Sequence, residues 1–368
     1  MKCSARDGVQ LEPSNAAPPG APDVRPSPPC PTVGDIGEHR LIERIRARVP
    51  PAPQNFVPIA IGDDAAVIQP ERNALEVVTT DCLVEGVHFD RAFAAASDIG
   101  YKALAVNLSD LAAMGAIPRV ALLSLVLPDA WPVADFDALL DGLLELATKV
   151  RISLVGGNIA RSPGPLVVNL TAIGSVKPRR VLTRAGARPG DELYVSGRLG
   201  ASAAGLASLR ASLVNRTAER RSECELRHLR PEPRLRLGSL LGRTRTARAC
   251  IDLSDGLADG VRQLARASGV GIIIEADDLP IDANARDWFD RHGGSALDAA
   301  LSGGEDYELL FAVAPKNRRV LASVQRMLPD LPITRVGRVM QPPRVELRRN
   351  GRTLELPSGF VHFSGESP

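Results

Sequence analysis

A chain of 368 residues is longer than one hydrophobic core usually serves, so two domains are expected. Its 44% apolar and 24% charged residues are those of a globular protein, and a net charge of +2 gives no bulk pull toward nucleic acid or membrane surfaces. No run approaches the ~20 apolar residues of a membrane span, the N-terminus lacks the apolar core of a secretory signal, and five scattered cysteines without CxxC spacing argue against a disulfide framework or a zinc site and fit a reducing cytoplasm.

Residues 1–34 are rich in Pro, Ser and Ala. They hold too little apolar surface to offset their ordering entropy and read as a disordered tail. Order is expected from "VGDIGEHRLIERIRARV" (33–49), where Ile36, Leu41, Ile42 and Ile45 fall near helical spacing. After a Pro-rich break at 50–58, "IAIGDDAAVIQ" and "ALEVVTTDCLVEGVHF" read as strands. "SDIGYKALAVNLSDLAAMGA" (97–116) reads as a helix with Ser97 as N-cap and Gly115 at its end. "VALLSLVLP" and "PLVVNLTAIGSV" read as strands, separated by a helix at 132–149 and a strand-to-loop segment, "ISLVGGNIARSPG".

A second unit begins after "KPRRVLTRAGARPGD". It opens with strand "ELYVSG" and helix "GASAAGLASLRASL", followed by an irregular Arg-rich stretch at 214–248. Lacking interleaved aromatics, that stretch reads as solvated surface rather than a nucleic-acid site. Next come "ACIDLSDGLADGVRQLARASGVG" as strand end, turn and helix, then strand "GIIIEAD". "SALDAALSGGEDYELLFAVAP" reads as helix, glycine turn and strand. Asn350–Gly351 with flanking alternation predicts a hairpin. Strands alternating with helices place the fold in the α/β or α+β class.

Five segments interrupt apolar runs with acids and small residues: "GDDAAV" (62–67), "TTDCLVEGVHF" (79–89), "NLSDLAAMGA" (107–116), "IDLSDGL" (251–257) and "SGGEDYELLF" (302–311). Singly, each acid has an ordinary reading. Asp63 or Asp64 suits a turn, Asp110 a helix surface, and Ser254–Asp255 an N-cap. Together they need a counter-charge, and no matching set of Lys and Arg lies within these segments. Carboxylate and hydroxyl oxygens suit a hard divalent cation such as Mg²⁺, which usually binds through a few carboxylates plus substrate phosphates. Asp64, Asp81, Asp110 and Asp252 around phosphates form one self-consistent site, with Asp63 shaping the turn. No GxxxxGK[ST] loop and no protein-kinase HRD or DFG context is present.

These segments, with "LTRAGARPGDELYVSG", "HLRPEPRL" and the terminal "GFVHF", resemble the thiamine-monophosphate kinases of the aminoimidazole ribonucleotide synthetase-like superfamily over roughly residues 33–363. The resemblance implies ATP-dependent phosphorylation of thiamine monophosphate to thiamine diphosphate, assisted by several Mg²⁺ ions. It implies a two-domain α/β fold: residues 35–176 with a mixed sheet and dimerising strands, and residues 177–363 as a C-terminal α/β domain. It also implies a homodimer without nucleic-acid or membrane partners. By the same resemblance Asp64, Thr79, Thr80, Asp81, Asp110, Asp252 and Asp255 match metal ligands. Asp81, Asp110 and Asp252 among them are expected to carry the transfer. Gly157, Asn158, Arg184 and Ser254 match positions near ATP, and His88, Glu305 and Phe360 match substrate contacts. Two positions depart from the family pattern. Gly156-Gly157-Asn158 stands where Gly-Gly-Asp is usual, and Phe360 where Tyr or Trp is common. Two alternatives remain open: another ATP-using synthetase of the superfamily, and a non-catalytic nucleotide-binding homologue.

Overall fold

The structure is a computed structural model, and it describes residues 30–215 and 221–359. Most of the Pro-rich stretch expected to be disordered lies outside these residues. Its last few do not belong with it. Thr32 Oγ1 accepts from the Asp35 N–H, and the Asp35 carboxylate accepts from the Thr32 N–H at 2.8 Å. This reciprocal cap starts the one-turn helix α1 (Val33–Ile36) and buries Val33. Helix α2 (Glu38–Arg48) follows. Residues 59–68 are a loop with only isolated bridges, not the expected strand. Its two adjacent aspartates are exposed, so the apolar residues around them cannot form a paired buried ribbon.

Strand β1 (Leu75–Val84) leads to helix α3 (Ala96–Ala113). The N-cap is Ala95 and makes no side-chain bond; Ser97 lies inside the helix. Strand β2 (Ile117–Pro128), helix α4 (Val133–Val150), and strands β3 (Ser153–Ser162) and β4 (Val167–Val176) complete the first half. The sheet order is β1-β4-β2-β3, with only β2 and β3 parallel. Helices α3 and α4 cross closely because Gly100 and Gly142 sit at the contact. A Cβ on Gly100 would come within 1.9 Å of the Leu139 carbonyl oxygen, and one on Gly142 within 1.8 Å of that of Ser97.

The second half contains β5 (Glu192–Ser196), α5 (Ala201–Asn215), α6 (Glu223–Leu229), α7 (Leu235–Thr244) and β6 (Ala247–Asp252). Two helices, α6 and α7, thus replace much of the irregular stretch expected at 214–248. A Ser222–Glu225 capping box starts the first, and an amphipathic Leu pattern supports the second. Then come α8 (Leu257–Ser268), β7 (Gly271–Glu275), α9 (Ala283–His292), α10 (Ala296–Ser302) and β8 (Leu309–Val313). Helix α11 (Arg318–Arg326), β9 (Ile333–Met340), β10 (Val345–Arg349) and β11 (Arg352–Leu354) finish it. The order is β11-β10-β7-β9-β5-β8-β6. The hairpin at Asn350–Gly351 is present, with φ of 49° and 74°. The whole is a two-domain α/β fold. Helix α3 packs on the first sheet and against α7 and β6 of the second half, so it is buried almost all round.

Removing residues 1–30 should leave the melting temperature unchanged. Removal through Gly34 should lower it by several degrees, since a lost cap and the loss of the buried Val33 side chain cost about 1 kcal/mol or more each. Coincident melting curves for the two truncations would show that the Thr32–Asp35 cap contributes nothing.

Candidate active site

Three carboxylates meet where α3 lies between the two halves. Alternation along β1 sends Thr79 and Asp81 to the helix-covered face of the sheet. Thr79 donates its hydroxyl to Asp110 on α3. One residue earlier, Ser109 donates to Asp252 at 2.8 Å, at the end of β6. Burial raises the Asp81 carboxyl to about 6, helped by the charge of Asp110. Burial also raises Asp110, against the Thr79 hydrogen bond and the charge of Arg184. Asp252 is pushed up to about 7 by burial and by Asp110, with the Ser109 bond opposing. No salt bridge relieves these three among the described residues. Arg184 lies near enough to be felt, but its guanidinium is bonded to Gln263 at 2.6 Å. A cavity of about 530 Å³ opens here, lined by Thr79, Asp110, Arg184 and Asp252 among others.

The second element is the segment 304–308. Gly304, Glu305 and Tyr307 all have positive φ, at 67°, 58° and 50°. The segment is tied to the loop after β6. The Glu305 N–H donates to the Ser254 carbonyl (2.6 Å), the Tyr307 N–H to that of Leu253 (3.0 Å), and the Leu253 N–H to that of Glu308 (2.9 Å). Its side chains then part. Glu305 reaches Lys102 of α3 at 2.7 Å and the His228 Nδ1 at 3.2 Å. Burial opposes its charge, but Lys102 and His228 prevail and lower its pKa. His228 is driven down to about 3 by burial and by Lys102, so the ring is neutral; its Nδ1 also lies 3.0 Å from the Ser202 hydroxyl. Asp306 accepts from the Gly200 and Ser202 N–H groups at the start of α5. Glu308, fully buried, accepts from Ser196 and is paired with Arg227 and Arg234. Glu305 and Glu308 therefore do have protein counter-charges, contrary to the expectation from sequence, whereas Asp306 has only backbone N–H donors and burial pushes it up to about 7. Those cations come from α3, α6 and the turn before α7, outside the acidic runs.

The structure brings together Thr79, Asp81, Asp110, Arg184 and Asp252, and it places His88 beside Glu305. Lys102 donates to the His88 carbonyl oxygen at 3.3 Å, and the His88 Nδ1 accepts from the Val84 N–H at 3.1 Å. Ser254 donates to Asp255 at 3.2 Å in the loop after Asp252. Three expected ligands lie elsewhere. Asp64 is exposed in the 59–68 loop, where its N–H donates to Asp63, which shapes the turn. The Thr80 hydroxyl points to the outer face of the sheet, bonded to Thr171 and the Leu170 carbonyl. Asn158 lies within β3 rather than in a glycine turn. The row Asp81, Leu170, Leu123, Gly157 faces the core, so Asn158 shares the outer face with Ser124, Asn169 and Cys82. The glycines are there for strand contact, since a Cβ on Gly157 would lie 1.8 Å from the Leu123 carbonyl oxygen. Phe360 lies outside the described residues; its neighbour Gly359 packs against Asp255 and Asp259. Lys102, Ser109, His228 and Tyr307 were not singled out from sequence. The signal for Lys102 was a single cation inside the apolar run "YKALAVNL".

Residues 62–176 match the family model of the AIR synthase related protein N-terminal domain, and residues 188–350 that of the AIR synthase related protein C-terminal domain. The thiamine-monophosphate kinase of Escherichia coli K12 is 42% identical over 336 residues, covering 89% of this chain and 98% of that protein. A crystal structure of thiamine-monophosphate kinase from Stenotrophomonas maltophilia is similar with a TM-score of 0.74 and 40% identity, over 86% of this chain and 96% of that one. So is AaThiL complexed with AMPPCP and TMP, with a TM-score of 0.70 and 32% identity over 89% and 98%. Among the described residues no helix is long and apolar enough to cross a membrane, and no three or more His, Cys, Asp or Glu side chains are grouped so that they alone could hold a metal ion.

Carboxyls raised by burial bind protons more tightly in the folded than in the unfolded chain. Their contribution to stability therefore falls as pH rises from about 4 to about 7, and is level above that. Without metal, protein at pH 6 should melt above protein at pH 8. Asp110→Asn should raise the pH 8 melting temperature by roughly 1–3 °C and shrink that difference. A lower melting temperature for the variant in chelator would show that Asp110 is held by compensating contacts instead.

Proposed function

Because the chain belongs to the thiamine-monophosphate kinase family of AIR synthase related proteins, we propose that it transfers the γ-phosphoryl group of ATP to thiamine monophosphate, giving thiamine diphosphate and ADP. The observation that carries this reading is the buried trio Asp81, Asp110 and Asp252. Asp110 and Asp252 accept hydroxyls and line an open cavity, Asp81 lies close enough for its carboxyl to be raised by Asp110, and none of the three has a protein cation paired to it.

The acceptor is a phosphate oxygen, already ionised at neutral pH, so no general base is required. The barrier is repulsion between two polyanions. The donor set is all hard oxygen, which fits Mg²⁺; bound through Asp81, Asp110 and Asp252 with Thr79 alongside, and with Asp255 nearby, it would neutralise phosphate charge and hold the oxygens in line. Arg184 adds a fixed positive charge on the nucleotide side, where Ser254 and Gly157 are also assigned. His88 and Glu305 border the acceptor side, with Phe360 as the ring that stacks on thiamine. Lys102 and His228 hold the Glu305 carboxylate ionised and oriented.

We divide the chain into residues 35–176 and 177–363, and place it in the cytoplasm, which the four unpaired described thiols fit. We further propose a homodimer. The edge strand β1 exposes Leu75 and Val78, and Ile117 is exposed on β2. Val78 lies on the outer face with Thr80 and Asn158. In the dimer this seam is where Asp64, Thr80 and Asn158 meet metal and nucleotide.

Mass-identified conversion of thiamine monophosphate with ATP and Mg²⁺ is the direct test; no product from well-folded protein would sink the reading. Asp81→Asn and Asp252→Asn should each lower kcat by roughly 10³-fold or more while the fold persists. Val78→Arg should give monomers in sedimentation and weaken activity. Monomers with full turnover would remove Asp64, Thr80 and Asn158 from the site.

A further inference from the structure

Arg184 lines the cavity beside Asp110 and Asp252, yet it is an exposed residue of the loop before β5. A long cationic side chain there would wander among rotamers, and fixing it only when a ligand arrives would cost affinity. Helix α8 removes that freedom twice. Its last residue, Ser268, donates its hydroxyl to the Arg184 carbonyl oxygen at 3.1 Å and accepts from the Ala187 N–H at 3.2 Å, which sets the loop. Further back along the helix, Gln263 Oε1 accepts from the Arg184 guanidinium at 2.6 Å, which sets the side chain. Among the described residues the guanidinium makes no other hydrogen bond and no salt bridge, so most of its N–H donors remain for a ligand.

Gln263 is itself locked. Its Nε2 donates to the Asp259 carboxylate one helical turn earlier. Arg184 can only donate and a carboxylate accepts, so one orientation of the amide satisfies both partners. Glu at 263 would lack the donor for Asp259, and Lys would lack the acceptor for Arg184. The amide has a second property. It orients the guanidinium without cancelling its charge, whereas a carboxylate there would pair with it. Asp259, Gln263 and Ala267 follow one another at i, i+4 spacing along α8, and Ala267 lines the same cavity as Arg184. The uncancelled charge is felt at Asp110 and Asp252, where it opposes the effect of burial.

Resting on the kinase reading above, we infer that Gln263, oriented by Asp259, is a positioning residue for the nucleotide. It holds the Arg184 guanidinium at the cavity, with its positive charge intact, for a phosphate oxygen of ATP. Gln263 itself touches no reacting atom.

The test compares wild type with Gln263→Ala and Gln263→Glu, in steady-state kinetics and in calorimetric binding of the ATP analogue AMPPCP with Mg²⁺. The first variant frees the guanidinium; the second keeps the reach and the contact but neutralises the charge. Each should lose about 10-fold or more in kcat/KM for ATP and in analogue affinity. The KM for thiamine monophosphate and the melting temperature should match wild type. In an Arg184→Ala background, Gln263→Ala should have no further effect. A Gln263→Glu protein that binds nucleotide as well as wild type overturns the inference, because the contact is then only a staple between loop and helix. Equal losses toward both substrates, additive losses in the Arg184→Ala background, or variants that fail to fold overturn it too. A wild type that binds the analogue but leaves thiamine monophosphate unchanged sinks the acceptor assignment alone, and the affinities still decide the role of Gln263. A wild type that binds no nucleotide overturns both.

Discussion

The organising constraint is an imbalance of charge. Asp81, Asp110 and Asp252 are brought out of water by three different elements, and the protein gives them hydroxyls and one nearby guanidinium but no ion pair. Burying carboxylates this way costs stability unless a ligand brings positive charge. Its neighbours in the 304–308 segment are partnered instead: Glu308 has two arginines, Glu305 has Lys102, and Asp306, pushed up to about 7 by burial, takes two backbone N–H groups. The contrast marks the trio as built for something that arrives with the substrates. It also explains why α3 is so uniformly apolar around Asp110. The helix has to be anchored by packing on both halves because its polar end is a liability by itself.

The 304–308 segment shows how one short stretch serves both halves. Successive residues point opposite ways. Asp306 and Glu308 turn inward to cap α5 and to tie α6 and the turn before α7 to β8. Glu305 turns toward Lys102 on α3, and the Tyr307 ring packs in the apolar core of the first half. The positive φ values at both are the geometric condition for that division.

Much of this was legible in the sequence, for identifiable reasons. Periodicity located α4 and α8, because each buries one broad apolar face, and a long apolar run located α3, which is buried almost all round. The acidic residues Asp81, Asp110 and Asp252 stood out because carboxylates are anomalous inside apolar runs. The failures are equally physical. "IAIGDDAAVI" has strand composition but no partner strand, and its apolar residues pack as a loop on Leu122 and Ile173. "VGGN" looked like a turn, yet its glycines answer to a close strand approach that no local pattern encodes. The partners of Glu305 and Glu308 come from 74 or more residues away in sequence, so the run "GGEDYELL" looked unpaired when it was not.

Asn158 follows from the same register argument. On the core-facing row, next to Asp81, an Asp would have added a fourth uncompensated charge to the trio. On the outer face its neighbours are Ser124, Asn169 and Cys82, all neutral, and an amide there is solvated or hydrogen-bonded at little cost. Within the chain, the amide at 158 therefore sits on the face opposite the trio. Its consequences are confined to whatever meets the outer face of the sheet, which is the same face that exposes Val78.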